Sequence, residues 1–200
     1  KEAHQKYSNL VNFQLLEDPI KKTADLISDG HVVARCSGKM EFGARALGNR
    51  SILADPKDFR IVPKINNMIK KRDFWMPFAP AMTYEKSSEF ICIPSVLPSD
   101  YVSQWMMHSF ETTHKSDSFS AGVHAQDKTA RAQVVNQKTN PEFHKIIKLV
   151  GESTGNEVVL NTSFNIHGFP IVTGSLDAIE VLLKSGLKYL VIENNLITKK

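Results

Sequence analysis

The chain contains few cysteines and no long apolar run. Cys36 and Cys92 are its only two thiols, and both lie in apolar stretches that favour small buried thiols over a redox role. No segment approaches the roughly 20 apolar residues that span a bilayer, and the first residues form no apolar signal region. We therefore expect a cytoplasmic protein without membrane association. The polar beginning without an initiator methionine suggests a fragment of a longer protein.

Several catalytic and metal-binding motifs are also missing. The seven histidines show neither His-x-x-x-His nor His-Glu-x-x-His spacing, so no metal site is expected in this chain. There is no Gly-Lys-Ser/Thr loop, so a nucleotide would have to be bound in another way. His124 lies near Asp127 and could titrate usefully in a site, although a surface histidine is the favoured interpretation.

Positive charge is concentrated in one stretch. From Arg35 to Arg72 the sequence has ten Lys or Arg residues against three Asp or Glu, a local charge of +7. The whole chain carries +4, so the remainder is about −3 by subtraction. A basic surface confined to one stretch predicts an anionic ligand.

The stretch "KMEFGARALGNRSILADP", residues 39–56, combines glycines with arginines. Glycine lets backbone N–H groups approach an oxyanion, and arginine offers a planar fork for two phosphate oxygens. Gly43, Arg45, Gly48 and Arg50 therefore fit a phosphate, while a tight turn with solvated arginines is the alternative. Further cations follow in "IKKRD" and "TAR", which contribute the residues Lys70, Arg72 and Arg131.

A second polar cluster follows the apolar segment "EVVL". It contains four uncharged hydrogen-bonding side chains, those of Asn161, Thr162, Ser163 and Asn165. Ligands of α/β proteins gather beyond the carboxyl ends of strands, so this cluster predicts contacts to a small polar group or a nucleotide. These residue types are also common in plain turns, which is the alternative interpretation.

Helical and strand patterns alternate along most of the chain. Helices are predicted in residues 20–30, 58–73, 140–155 and 175–186, the third with Asn140 as N-cap and Pro141 in its first position. Strands are predicted at 31–36, 157–160 and near the C-terminus, and residues 86–130 are expected to form short strands and one long surface loop around 111–128. The alternation indicates an α/β fold with a mixed sheet.

Four blocks in this order carry a family resemblance. They are "GKMEFGARALGNRSILADP", "INNMIKKRDFWMPFAPAM", "TARAQVV" and "VVLNTSFNIHGFPIV". Together they resemble the C-terminal domain of the NodU/CmcH-type O-carbamoyltransferases over residues 28–200. The resemblance implies a single YrdC/Sua5-like domain, a twisted mixed sheet flanked by helices. Residues 1–27 would then be an arm or linker helix from a missing upstream Kae1-like domain.

The resemblance also implies a function. The domain would bind carbamoyl phosphate and ATP with Mg²⁺, and would form carbamoyl adenylate for transfer to a hydroxyl acceptor by the Kae1-like domain. Any iron or other metal would belong to that upstream domain, and neither a membrane nor nucleic acid is expected as a partner. The catalytic residues implied are Lys70, Arg72 and Arg45, and the substrate- and ATP-binding residues are Arg50, Arg131, Asn161, Ser163 and Asn165.

The sequence departs from the family pattern at several positions. Ala44 replaces a proline, Met76 replaces an arginine, Phe169 replaces a glutamate, and "HAQDKTAR" is one residue longer than its counterpart. These changes leave a catalytically silent domain as one alternative, and an RNA-binding module with a basic cleft as another. The module is weakly supported, because Phe42 and Phe59 are the only aromatic residues between positions 35 and 60.

Overall fold

A mixed eight-stranded sheet runs through the chain in the computed structural model, which describes residues 2–73, 75–96 and 103–200. The strand order is β1-β10-β9-β2-β3-β8-β4-β7, and a separate pair is formed by β5 and β6. The strands are β1 Val11–Leu15, β2 Val33–Cys36, β3 Arg50–Ala54, β4 Ala79–Thr83, β5 Phe110–Glu111, β6 Thr129–Ala130, β7 Gln133–Val135, β8 Val158–Ser163, β9 Tyr189–Ile192 and β10 Asn195–Lys199.

Helices cover both faces of this sheet. They are α1 Glu2–Tyr7, α2 Pro19–Ser28, α3 Ile61–Ile65, α4 Ser87–Phe90, α5 Pro141–Thr154 and α6 Ser175–Lys184. Side chains alternate along each strand, so Val33 and Leu53 pack under α2 and α5, whereas Ala34 and Ile52 face the core shared with α3 and α6. The α/β class with a mixed sheet and flanking helices is confirmed.

The helix caps follow the sequence signals. The Asn140 side chain accepts a hydrogen bond from the backbone N–H of Phe143, and α5 ends at Gly155, whose φ is 77°. Asp18 caps α2 in the same way through the N–H of Lys21. The buried face of α5 contains Phe143, as the spacing predicts.

The N-terminal residues belong to the same folded body. β1 pairs antiparallel with β10 from Val11↔Lys199 to Leu15↔Asn195, and α2 packs against the core beside α5. The interpretation of residues 1–27 as an arm from an upstream domain stays a prediction. In the structure these residues complete one edge of the sheet.

The predicted surface loop around residues 111–128 is wrong in its central part. Ser116–Gly122 forms a 3-10 segment in which Phe119 is fully buried in a core with Phe90, and Ala121 is fully buried in the core that contains Phe78. Two isolated apolar residues among polar ones give no periodic signal, which is why the sequence pattern missed them. Part of the predicted region, residues 97–102, lies outside the described residues.

Four neighbouring strands have ends that meet on one side of the sheet, an edge made of strand ends and not of a single outer strand. β8 runs antiparallel to both β3 and β4, and β7 runs parallel to β4. The carboxyl end of β8 therefore lies beside the amino ends of β3, β4 and β7. The segments that precede these three strands contain Arg45, Arg72 and Arg131, and the sheet thus brings together arginines that are far apart in sequence.

Replacing Gly48 with alanine should destabilise the fold. Its φ is 119°, and a Cβ would lie 2.4 Å from Cδ1 of Phe143 on α5. We expect Gly48→Ala to lower the free energy of unfolding by about 3 kcal/mol through overpacking and backbone strain, measured by chemical denaturation. Gly30→Ala is the control, because Gly30 has a φ of 78° but no atom within 4 Å of the added Cβ. An equal loss in both variants would contradict the close packing of Gly48 on Phe143.

Candidate anion-binding site

The segment between β2 and β3 is folded back on itself by one carboxylate. Oε1 of Glu41 accepts hydrogen bonds from the backbone N–H groups of Leu47 at 2.8 Å, Asn49 at 2.7 Å and Arg50 at 3.1 Å. A charged acceptor makes stronger hydrogen bonds than a neutral one. Glu41 thereby fixes the path of residues 39–49. This segment contains Arg45 and is here called the arginine loop.

Polar side chains from the sheet hold the carbonyls of the same loop. Asn161 donates to Ala46 O at 3.2 Å, and Gln133 donates to Leu47 O at 3.0 Å. Arg35, which is 3% exposed, donates to Gly48 O at 2.6 Å and forms an ion pair with Glu142. The arginine loop is therefore fastened to β2, β7 and β8, of which β7 and β8 belong to the edge described above.

Three arginines line one cleft above this edge. This inner chamber is lined by Arg45, Arg72, Arg131, Asn161, Thr162 and Ser163, among others. No aspartate or glutamate is among its described lining residues. Burial lowers the pKa of Arg131, and the positive charges of Arg45 and Arg72 lower it further. The three guanidinium groups thus act on one another without a neutralising acid, an arrangement that favours a bound anion.

The position of Arg72 is fixed by an aromatic ring. Its guanidinium carbon lies 5.5 Å from the ring centroid of Phe78, within the range of a cation–π contact. Burial lowers the pKa of Arg72, with the charge of Arg45 as a second cause. No acid among the described residues contributes to this shift, so the guanidinium hydrogens are available to an oxyanion.

Lys70 is buried behind the chamber floor. Its Nζ donates to Asn165 Oδ1 at 2.7 Å, Ser163 Oγ at 3.1 Å and Asn165 O at 3.3 Å, and the residue is 1% exposed. Burial lowers the pKa of Lys70 to about 7, and the charge of Arg72 contributes to the shift. The ammonium is therefore easily gained or lost near neutral pH, and a nearby anion would favour the charged form.

A π-turn points Lys70 inward. The predicted helix 58–73 is regular only in α3, and Asn66–Lys70 forms a π-turn closed by the bond from Lys71 N to Asn66 O at 2.9 Å. Lys71 then adopts a left-handed conformation with φ 47°. Irregular turns of this kind are frequent at functional sites.

The structure brings most of the predicted site residues together. Arg45, Arg72, Arg131, Asn161 and Ser163 line the inner chamber, and Lys70 and Asn165 contact Ser163 from behind. Asn161 and Ser163 lie within β8 and not after it, because the strand continues to residue 163. The Oδ1 atom of Asn161 is buried without a hydrogen-bond partner among the described residues.

Arg50 is not part of this cluster. Its guanidinium donates to the carbonyls of Ser37 at 2.9 Å, Gly38 at 3.1 Å and Thr173 at 3.2 Å, and only 7% of the residue is exposed. Its hydrogens therefore satisfy the backbone at the start of the arginine loop. The structure places Arg50 away from the predicted anion, on the side of the sheet that faces α6.

Sequence reasoning missed the residues that shape the site. Glu41 was counted only as a charge, and Gln133 and Arg35 were given no role. A solitary acid inside a basic, glycine-containing stretch is a usable signal, because such a carboxylate can satisfy several backbone donors at once. Nothing in the sequence pattern identifies Gln133, whose partner is a carbonyl 86 residues away.

A second cleft adjoins the inner chamber. This outer chamber shares Arg72 and Arg131 with it and is also lined by Met76, His124, Asp127 and Thr129. Met76, which replaces a family arginine, lies at this wall and is 44% exposed. Phe169 is 66% exposed, and its carbonyl accepts a hydrogen bond from Asn165 Nδ2 at 2.6 Å.

A family model described as "Carbamoyltransferase C-terminus" matches residues 24–199. The chain belongs to the carbamoyltransferase C-terminal family. The predicted resemblance to the O-carbamoyltransferases is thereby confirmed.

Curated relatives agree with this assignment. Nodulation protein NolO of Bradyrhizobium diazoefficiens is 37% identical over 97% of this chain and 35% of its own length. The 3'-hydroxymethylcephem-O-carbamoyltransferase of Amycolatopsis lactamdurans is 30% identical over 83% of this chain and 30% of its own length. This carbamoyltransferase C-terminal chain thus spans about a third of the curated relatives it matches.

Solved structures show the fold relationship. Sua5 of P. abyssi, as the variant H234A/Y235A, has a TM-score of 0.59 at 16% identity, covering 88% of this chain and 46% of that chain. Full-length HypF, in a phosphate- and nucleotide-bound form, has a TM-score of 0.56 at 15% identity, covering 91% of this chain and 24% of that chain. The carbamoyltransferase C-terminal family member described here therefore has the predicted YrdC/Sua5-like fold.

Within residues 2–73, 75–96 and 103–200, no helix has the length and apolar character that crossing a membrane requires. Nor do three or more histidine, cysteine, aspartate or glutamate side chains in these ranges come together as a metal site would require.

Removing the Glu41 carboxylate should loosen the arginine loop. We expect Glu41→Ala to speed amide hydrogen exchange at Leu47, Asn49 and Arg50, because each N–H loses a charged acceptor. The free energy of unfolding should fall by about 2–4 kcal/mol. Glu152→Ala, on the exposed face of α5, is the control and should change neither quantity. Unchanged exchange at the three amides would contradict the role given to Glu41.

The lowered pKa of Lys70 predicts a specific pH dependence of stability. Between pH 7 and 10.5 the unfolded chain holds a proton on Lys70 that the folded chain has released, so the free energy of unfolding rises with pH. Below pH 7 Lys70 is charged in both the folded and the unfolded chain. The full free-energy cost of burying its ammonium group therefore remains. Lys70→Met removes this dependence, so wild type should gain roughly 4 kcal/mol relative to the variant across that window.

Urea denaturation at pH values on both sides of the window measures this difference. Lys57→Met is the matched control, because Lys57 is exposed. A constant difference between wild type and Lys70→Met at every pH would show that Lys70 titrates as an ordinary lysine.

Proposed function

We propose that this chain is the carbamoyl-phosphate- and ATP-binding part of an O-carbamoyltransferase and forms carbamoyl adenylate. Phosphate and pyrophosphate would be released, and an upstream Kae1-like domain would transfer the carbamoyl group to a hydroxyl acceptor. The observation that carries the proposal is the inner chamber, where three arginines converge beside Lys70 without a carboxylate among the described lining residues. The family assignment and the named carbamoyltransferase relatives support it.

The charge arrangement suits the joining of two anionic substrates. Carbamoyl phosphate and ATP repel each other strongly, and cations must offset this repulsion before their reacting atoms can meet. Arg45, Arg72 and Arg131 would offset it through bidentate contacts to phosphate oxygens. Positioning and electrostatic stabilisation are the usual means of catalysing such transfers, and neither requires a covalent nucleophile.

The polar floor suits the carbamoyl group and the transferred phosphate. Asn161 Oδ1 is a buried acceptor without a partner among the described residues, and a carbamoyl NH₂ would satisfy it. Lys70, held by Ser163 and Asn165, would become fully charged when an anion binds and would stabilise charge on the phosphates. We propose that Mg²⁺ enters bound to the ATP phosphates. In this proposal Arg50 shapes the arginine loop and does not contact substrate.

Pyrophosphate exchange tests the reaction itself. With carbamoyl phosphate present, the purified protein should incorporate labelled pyrophosphate into ATP, since adenylate formation is reversible. A folded protein without exchange would support the catalytically silent alternative. RNA binding with a steep salt dependence and no competition by ATP would support the basic-cleft module instead.

Single alanine substitutions test the binding residues. Arg45→Ala and Lys70→Ala should each weaken ATP or carbamoyl phosphate binding at least tenfold, about 1.4 kcal/mol, in calorimetric titrations. Arg60→Ala is the matched control, because the Arg60 side chain is 90% exposed and pairs only with Asp58 among the described residues. Unchanged binding in both variants would remove these residues from the site.

A further inference from the structure

A small closed loop carries an aspartate–histidine pair at the outer chamber. Asp127 Oδ1 accepts from Thr129 Oγ1 at 2.8 Å and Thr129 N at 2.9 Å, and lies 3.1 Å from Nδ1 of His124. Backbone bonds close the loop, from His124 N to Thr129 O at 2.8 Å and from Lys128 N to His124 O at 3.0 Å. The imidazole is therefore held by a fixed carboxylate on a fixed turn.

This pairing sets the tautomer of the ring. A carboxylate at Nδ1 places the imidazole proton on that nitrogen and leaves the lone pair of Nε2 free. The hydrogen bonds to Thr129 lower the pKa of Asp127, so the carboxylate is ionised at neutral pH. Among the described residues, Nε2 of His124 has no hydrogen-bond partner.

The aspartate–histidine pair lies next to cationic residues of the proposed substrate site. His124 and Asp127 line the outer chamber, whose wall also includes Arg72 and Arg131 of the inner chamber. Guanidinium groups do not accept protons at neutral pH, and Asp127 already accepts from Thr129 and His124. Lys70 contacts Ser163 and Asn165 and does not line either chamber. Of the described residues lining the two chambers, His124 is thus the one positioned to take a proton.

We propose that His124, oriented by Asp127, is the general base for hydrolysis of carbamoyl phosphate to carbamate in this cleft. The inference rests on the proposed function and specifies how phosphate leaves. A water oxygen bonds to the carbonyl carbon, and its proton passes to Nε2. The bond from that carbon to the bridging oxygen then breaks, and inorganic phosphate leaves with the electron pair. The remaining water proton passes from the carbamic acid to the leaving phosphate, and the carbamate so formed is the nucleophile for the α-phosphorus of ATP, from which pyrophosphate departs.

Two assays separate the hydrolysis from the adenylation. The first measures phosphate release from carbamoyl phosphate without ATP, above the spontaneous rate. His124→Gln should slow this release about 100-fold, the usual size of a general-base contribution. Asp127→Asn should slow it less, because the imidazole remains but is no longer oriented by a charge. His114→Gln, an exposed histidine in the same part of the chain, is the control and should release phosphate at the wild-type rate.

The second assay supplies carbamate directly from ammonium bicarbonate solution, which contains it at equilibrium. With this substrate, His124→Gln should exchange labelled pyrophosphate into ATP at the wild-type rate. Unchanged phosphate release in His124→Gln would overturn the proposal. An equal loss of activity in both assays would also overturn it, because His124 would then be a nucleotide contact. If the wild-type protein shows no carbamate-dependent exchange, the proposed adenylation fails, and the phosphate-release assay still decides the role of His124.

Discussion

Mutual repulsion among Arg45, Arg72 and Arg131 is the constraint on which the rest of the site depends. Three cations in one cleft destabilise the protein that contains them, and no described lining residue offsets them with a carboxylate. Their positions must therefore be fixed by other interactions. The Phe78 ring supports Arg72, and the loop that contains Arg45 is fastened by Glu41 from one side and by Asn161 and Gln133 from the other.

The sheet makes this concentration of charge possible. β8 separates β3 from β4, and its antiparallel pairing with both brings three loop ends to its own carboxyl end. The loops that precede β3, β4 and β7 form one surface together with the polar side chains of β8. The backbone of the arginine loop is satisfied by side chains that are themselves part of the sheet or buried beneath it. A rigid frame of this kind lets cations remain close without an anion.

The fold class and most of the site could be predicted from the sequence, because they depend on local signals. The helix cap at Asn140 and the polar residues around Ser163 are visible in a short window. The direction in which a guanidinium points cannot be predicted from a short window of sequence, since it depends on where distant carbonyls lie. Arg50 therefore resembled Arg45 in the sequence but faces backbone oxygens. Phe119 was missed for a related reason, because its burial depends on partners such as Phe90 and not on a periodic pattern.

The π-turn at Asn66–Lys70 has a consequence for how this protein can vary. The turn inserts one residue more than an α-helix would hold between Asn66 and Lys71. Deleting a single residue there would replace the wide turn with an ordinary α-helical one, and the backbone geometry that directs Lys70 toward Ser163 and Asn165 would be lost. Point substitutions at Asn67 or Met68 leave the number of residues in the turn unchanged, whereas a deletion does not. The direction of Lys70 therefore depends on the length of this turn as well as on the lysine itself.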